Sequence, residues 1–325
     1  MSCLLSHRFL HWAIKERGDN GLLCLPFDLQ SSKISCNRSY IERQQDTGAE
    51  VKYNNISGIG DIIKEFDNVD DPDVLERIKT NPALHEALQM KRPQNWWGTG
   101  LNPQVLFDIA KDDGIPVVRV PSATVLLDLA VAPSRKARMT VLLLRKQEIL
   151  DDCKALLSDC DDPWITDACV FTGAAIAAYE AGHHEAAMAL AVSVSEPLAT
   201  WASTPRVQMF RSEAAHEGWE EYLKQNGKNK YRRAALELSD TRNKFAFPHN
   251  WWYQALIAPI PRFFTPWSPE SGKPLPDSLS RHVVAHQPTQ QHFSLENAML
   301  SLMLATSLLR DSQEWAEEVR SMDGE

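Results

Sequence analysis

From residue 134 to the C-terminus, apolar positions fall three and four apart, the spacing of helices with one buried face. Ser134 is placed to cap a long helix to about Asp159, with Val141, Leu142, Leu144, Ile149, Leu150, Cys153 and Leu157 among its apolar positions. Asp162-Pro163 sets an N-cap residue before a proline at the first helical position, opening a helix that carries Ala168, Phe171, Ala174, Ala175, Ala178 and Tyr179. Gly182 ends it, and His183 to Trp201 forms the returning helix, with Pro197 set to kink or stop it. The alanines of this hairpin imply close packing. Ser294 caps the last strong helix, whose Leu295, Ala298, Met299, Leu300, Leu302, Met303, Leu304, Ala305, Leu308 and Leu309 make it apolar almost all round. A helix of that kind is buried, either centrally or at a subunit interface. Residues 311–325 read as a charged tail.

The pattern is weaker before residue 133. Gly21 to Phe27 and Ile115 to Val120 have the composition of short strands, the second at a sheet edge because of Pro116. Gly58-Ile59-Gly60 hints at a glycine loop but lacks a third glycine. Residues 66–75 are acidic, and helices are expected from Pro72 or Asp73 to Lys79 and again after Asn81-Pro82. Trp96-Trp97 is either core or an aromatic anchor in a loop. Ser122 is an N-cap for a helix to about Ala132. The expected organisation is therefore a small α or α/β N-terminal region, residues 1–132, and a helical domain, residues 133–325, interrupted at about 205–278.

That interruption contains the local charge bias. Glu213 to Gln225 is amphipathic and ends at Asn226-Gly227. Lys228, Lys230, Arg232, Arg233, Arg242 and Lys244 follow, interleaved with Tyr231, Phe245 and Phe247. Basic side chains with aromatics between them can hold RNA phosphates and stack bases, or they are one solvated helical face. The aromatic cluster of Trp251, Trp252, Phe263, Phe264 and Trp267 around Pro259, Pro261 and Pro266 is suited to packing the insertion onto the bundle or a second subunit.

Composition narrows the classes. With 43% hydrophobic and 24% charged residues in 325, the chain is that of an ordinary globular protein with a sizeable core. A net charge of −9 argues against a general nucleic-acid coat protein and leaves room for a local basic groove. No run is long and apolar enough for a membrane span, and the start breaks at Ser6-His7-Arg8 without a cleavage site, so a cytoplasmic location is expected. The six cysteines form no C-x-x-C or Cys/His metal spacing and read as reduced thiols. There is no G-x-S-x-G elbow, P-loop or H-E-x-x-H, and no metal or cofactor is expected.

One stretch carries candidate chemistry: Ser280-Arg281-His282-Val283-Val284-Ala285-His286, then Gln287-Pro288. Arginine offers a planar fork of donors to a phosphate, and histidine exchanges a proton near neutrality. Five residues of α-helix amount to a rotation of roughly 140°, so Arg281 and His286 share no face of a straight helix. They converge only if one sits at a helix end or two copies of the motif meet. Pro288 disfavours helical backbone at Gln287, so the helix should stop at about His286. In the plainer reading, Arg281 pairs with an acidic neighbour and His286 satisfies a helix C-terminus.

An arginine, a polar residue after it (here His282) and a histidine shortly downstream, set before a strongly apolar helix and after an alanine-rich hairpin, resemble the signature of the HEPN superfamily. The resemblance covers the C-terminal half to three-fifths of the chain. It implies a dimerising α-helical bundle and a metal-independent endoribonuclease of toxin, abortive-infection or phage-defence type. Arg281 and His286 would be its catalytic pair, with His282 a further site or orienting residue. RNA would be cleaved by attack of its own 2′-hydroxyl, with no cofactor. The resemblance also implies a homodimer and an antitoxin or sensor partner, with residues 1–132 a sensor or regulatory region that senses a trigger, recruits a partner or restrains the nuclease. The reading from another class is a non-catalytic RNA-binding or protein-interaction module that uses Arg281 and the basic stretch without needing His286.

Overall fold

The computed structural model describes residues 93–204, 213–227, 230–239 and 251–323, all within the unit Asn68–Glu325. The expected strand at 21–27, the glycine loop at 58–60, the acidic segment, the helices at 72–79 and after Asn81, and Lys228, Arg242, Lys244, Phe245 and Phe247 lie outside the described residues. Among those described the fold is helical, without a strand. The helices are α1 Pro103–Asp108, α2 Ala123–Val131, α3 Arg135–Leu144, α4 Lys146–Ser158, α5 Thr166–Glu180, α6 His184–Ala202, α7 Glu213–Asn226, α8 Lys230–Leu238, α9 Trp251–Ile257, α10 Ile260–Phe263, α11 Arg281–His286 and α12 Leu295–Asp323.

Helix α12 is the centre. Ser294 caps it by accepting from the Asn297 amide at 3.2 Å. Met299, Leu300, Leu302, Met303, Ala305 and Leu309 are fully enclosed. They are covered by α6, α4, α5 and α3 of the same chain, so no second subunit is required to hide this helix. At about 1.5–3 kcal/mol for each large apolar side chain taken out of water, this one helix contributes much of the driving force for folding. It also extends past the expected tail. Asp311, Ser312 and Gln313 are buried, because the Gln313 side chain accepts from the amides of Asp161 and Asp162 at 3.1 and 2.9 Å.

The α5–α6 hairpin turns at Gly182 as expected, but α5 starts at Thr166, after an uncapped Ile165, and not at the expected Asp162-Pro163. Gly182 adopts φ 85°, its amide reaches the Tyr179 carbonyl at 3.0 Å, and the His183 amide reaches Ala178 at 2.8 Å. Pro197 does not stop α6. Val194, Ser195, Leu198 and Ala199 around it are buried against neighbouring helices, and that burial outweighs the roughly 3 kcal/mol cost of an interior proline. The single helix expected from Ser134 to Asp159 is two. Ser134 caps α3 as expected, at 3.3 Å from the Ala137 amide. Arg145 then leaves the helical line (φ −99°, ψ 16°) to reach Asp128 at 2.7 Å and Glu148 at 2.8 Å.

Residues 115–120 are not a strand. They are an irregular segment, almost wholly buried, whose backbone carbonyls at Val117 and Val118 are satisfied by side chains. The Val117 carbonyl accepts from Asn95 Nδ2 (3.0 Å) and Trp96 Nε1 (2.8 Å), and the Val118 carbonyl from Ser307 Oγ of α12 (2.7 Å). Trp96 and Trp97 are therefore core residues. The stretch 93–132, expected to go with the N-terminal region, lies inside the Asn68–Glu325 unit.

Leu304→Ala, in the middle of α12, should cost about 2–5 kcal/mol in urea unfolding. Leu144→Ala, 78% exposed on α3, should stay within about 0.5 kcal/mol. Equal costs at the two positions would contradict this assignment of the core.

Candidate functional site

The motif forms a helix of its own. Helix α11 spans Arg281–His286 and ends at Gln287, where Pro288 was expected to end it. Its buried Val283 faces the bundle, and the helix packs on α6. Three of the motif's side chains find different partners.

Arg281 turns inward. Its Nη1 pairs with the Glu196 carboxylate of α6, and its guanidinium lies 5.4 Å from the centre of the Phe264 ring. This is the acidic neighbour of the plainer reading. Both partners are partly exposed, so the pair is worth on the order of 1 kcal/mol; its main effect is to fix where the guanidinium sits. His282 and His286 pair with each other instead. Four residues apart on one helical face, their rings are 5.6 Å between centroids, and His286 is exposed. Partial burial holds the His282 pKa below its ordinary value, with the charges of Arg281 and His286 acting in the same direction. A neutral, proton-accepting imidazole next to a solvent-accessible one is an arrangement suited to moving protons.

The basic stretch is divided. Lys230 lies over the Tyr231 ring at 4.8 Å, Arg232 donates through Nε to the Pro261 carbonyl at 3.2 Å, and Arg233 is exposed. Arg232 thus fastens α8 to the start of α10. Tyr231 meets Phe264 at 6.3 Å, so one ring is shared by the basic helix and by Arg281. The aromatic cluster packs within the chain, as Phe263 against Phe264 and Trp252 against Tyr253.

Two polar centres were not anticipated from sequence. Arg119 has φ 69°, a left-handed conformation unusual for a residue with a side chain. Its amide donates to Asn95 Oδ1 at 3.0 Å, its guanidinium pairs with Glu314 and lies 5.0 Å from the Trp252 ring centre. Burial lowers its pKa, and Glu314 opposes this. The partners are 24 and 195 positions away, and no local signal marks them. His292 is buried and accepts the Ser280 amide on Nε2 at 3.3 Å, steadying the entry to α11 from the loop after it.

Among the described residues no group of three or more His, Cys, Asp or Glu side chains is arranged to hold a metal ion, and no helix is long and apolar enough to cross a membrane. Comparison with protein-family models, with curated proteins and with solved structures finds no match to this chain.

Burial holds the His292 pKa below its ordinary 6.5. The unfolded chain takes up a proton there before the folded one does, so the stabilisation is intact above about pH 6.5 and is lost as pH falls toward the folded pKa. Urea midpoints should therefore drop between about pH 7.5 and about pH 5.5, and His292→Asn should flatten that slope. An unchanged slope in the variant would assign the pH dependence to other groups, His282 first.

Proposed function

We propose that this chain is a metal-independent endoribonuclease. The observation that carries the reading is the pair of imidazoles, His282 and His286, on one face of α11 with Arg281 at the helix start. In the proposed reaction His282, favoured in its neutral form, accepts the proton of an RNA 2′-hydroxyl. The freed oxygen attacks the adjacent phosphorus. The bond to the 5′-oxygen breaks, and His286 supplies the proton that oxygen needs. The products are a 2′,3′-cyclic phosphate and a 5′-hydroxyl. Arg281 contributes positive charge for the phosphate oxygens, from a position set by Glu196 and Phe264. Lys230 and Arg233 extend the basic surface toward the RNA strand. A toxin or phage-defence setting, a homodimer and an antitoxin or sensor partner belong to the same proposal and rest on the HEPN resemblance.

A second reading, a non-catalytic helical module for RNA or protein, is favoured by the Arg281–Glu196 pair, which occupies the motif's arginine in a structural role. The two readings separate on the histidines. His286→Ala and His282→Ala should each lower single-turnover RNA cleavage by about 10²–10⁴-fold. Circular dichroism and RNA affinity should change little, and EDTA should leave the parent's rate intact, since RNA supplies the nucleophile and imidazole moves the protons. A His286→Ala variant that cleaves like the parent removes the ribonuclease reading. A parent that binds RNA without cleaving it establishes the module.

A further inference from the structure

Resting on the RNA-directed reading of this site, we propose that the Glu196 carboxylate is an internal stand-in for a phosphodiester on Arg281, and that a phosphate of an RNA strand displaces it on entering the site. Arginine holds a carboxylate and a phosphate through the same planar fork of donors, so one anion can take the place of the other. The contact that fixes the guanidinium in the free chain is then also the contact that RNA has to replace.

Glu196 is presented by a fixed element. It lies within the 19-residue α6, where Ser195 and Leu198 beside it are buried. Its carboxylate pairs with Arg281 Nη1, and its side chain is 39% exposed. The arginine fork is only partly used: Nη1 is paired, while Nε is buried without a hydrogen-bond partner. The Phe264 ring, its centre 5.4 Å from the guanidinium carbon, is a second and uncharged contact. Arg281 therefore keeps a support when the carboxylate leaves.

The exchange is charge for charge. A carboxylate and a phosphodiester each carry one negative charge, so Arg281 stays neutralised throughout. The displaced carboxylate, already partly in water, rehydrates without leaving a buried charge behind. A phosphodiester has two non-bridging oxygens and can engage two donors of the fork, where Glu196 engages one. A partly exposed ion pair of this kind is weak enough to open. Both anions held on the one guanidinium would repel each other.

Neighbouring contacts favour a strand over a single phosphate as the displacing anion. From Arg281 a line of contacts runs to Phe264 at 5.4 Å, from Phe264 to Tyr231 at 6.3 Å between centroids, and from Tyr231 to Lys230 at 4.8 Å. Helix α8 thus brings further positive charge within reach of the phosphates next to the one on Arg281. A strand held at a second phosphate presents the first at high effective concentration, which a free phosphate cannot match.

The experiment measures binding of a fluorescein-labelled 2′-O-methyl RNA oligonucleotide to the full chain by anisotropy. That probe lacks the 2′-hydroxyl nucleophile, so binding is read without cleavage. Glu196→Gln, close in shape and uncharged, should bind about three- to ten-fold more tightly than the parent. Glu196→Asp, whose carboxylate is one methylene shorter, should fall between them and carries the comparison if Glu196→Gln does not fold. In an Arg281→Ala background the Glu196→Gln change should have no effect. Inorganic phosphate at matched ionic strength should not compete with the oligonucleotide. The proposal is overturned if neither Glu196 variant binds more tightly than the parent, or if none of the proteins binds. It is equally overturned if the gain persists without Arg281, which makes it a general effect of charge, or if free phosphate competes as well as the strand. Cleavage of ordinary RNA by the parent with no gain in Glu196→Gln removes the exchange alone. A gain in Glu196→Gln with no cleavage of ordinary RNA removes the ribonuclease reading and leaves the exchange standing.

Discussion

Burial of α12 is the constraint on which the rest of the described structure depends. A helix apolar on every side must be surrounded, and α3, α4, α5 and α6 do this within one chain. Two of the polar groups it carries inside tie irregular segments to it: Ser307 holds the stretch at Val118, and Gln313 holds the turn between α4 and α5. The apolarity of this helix calls for no dimer, because its apolar surface is already covered within the chain. A homodimer then has to be argued from the function proposed for the motif.

Local devices were legible in the sequence. The caps at Ser134 and Ser294, the glycine stop at Gly182 and the helix end before Pro288 act over a few residues and need no distant partner. What failed was decided at a distance. Ile115–Val120 has strand composition, yet its carbonyls are satisfied by side chains from Asn95, Trp96 and Ser307. The break at Arg145 answers to Asp128 on α2, and the continuation of α12 past Asp311 answers to the turn at 161–162. Helical spacing is silent on all three.

The motif was legible in part. Its helix, its end and the separation of Arg281 from His286 by rotation follow from the spacing. The choice of Glu196 and Phe264 as partners of Arg281 does not, since they lie on other helices. The structural effect is a division of labour: the arginine is positioned by Glu196 and Phe264, and the two imidazoles pair with each other on the same short helix. That division allows the proposed chemistry to rest on the histidines, and it equally accounts for why Arg281 contributes to packing.

Native-state hydrogen exchange of the α12 amides from Ala298 to Leu309 tests the central claim most directly. If this helix is the single-chain core, these amides exchange only through global unfolding. Their opening free energy then equals that from urea unfolding and does not change with protein concentration. Exchange through openings of much lower free energy, or protection that rises with concentration, would contradict the account and return the helix to a subunit interface.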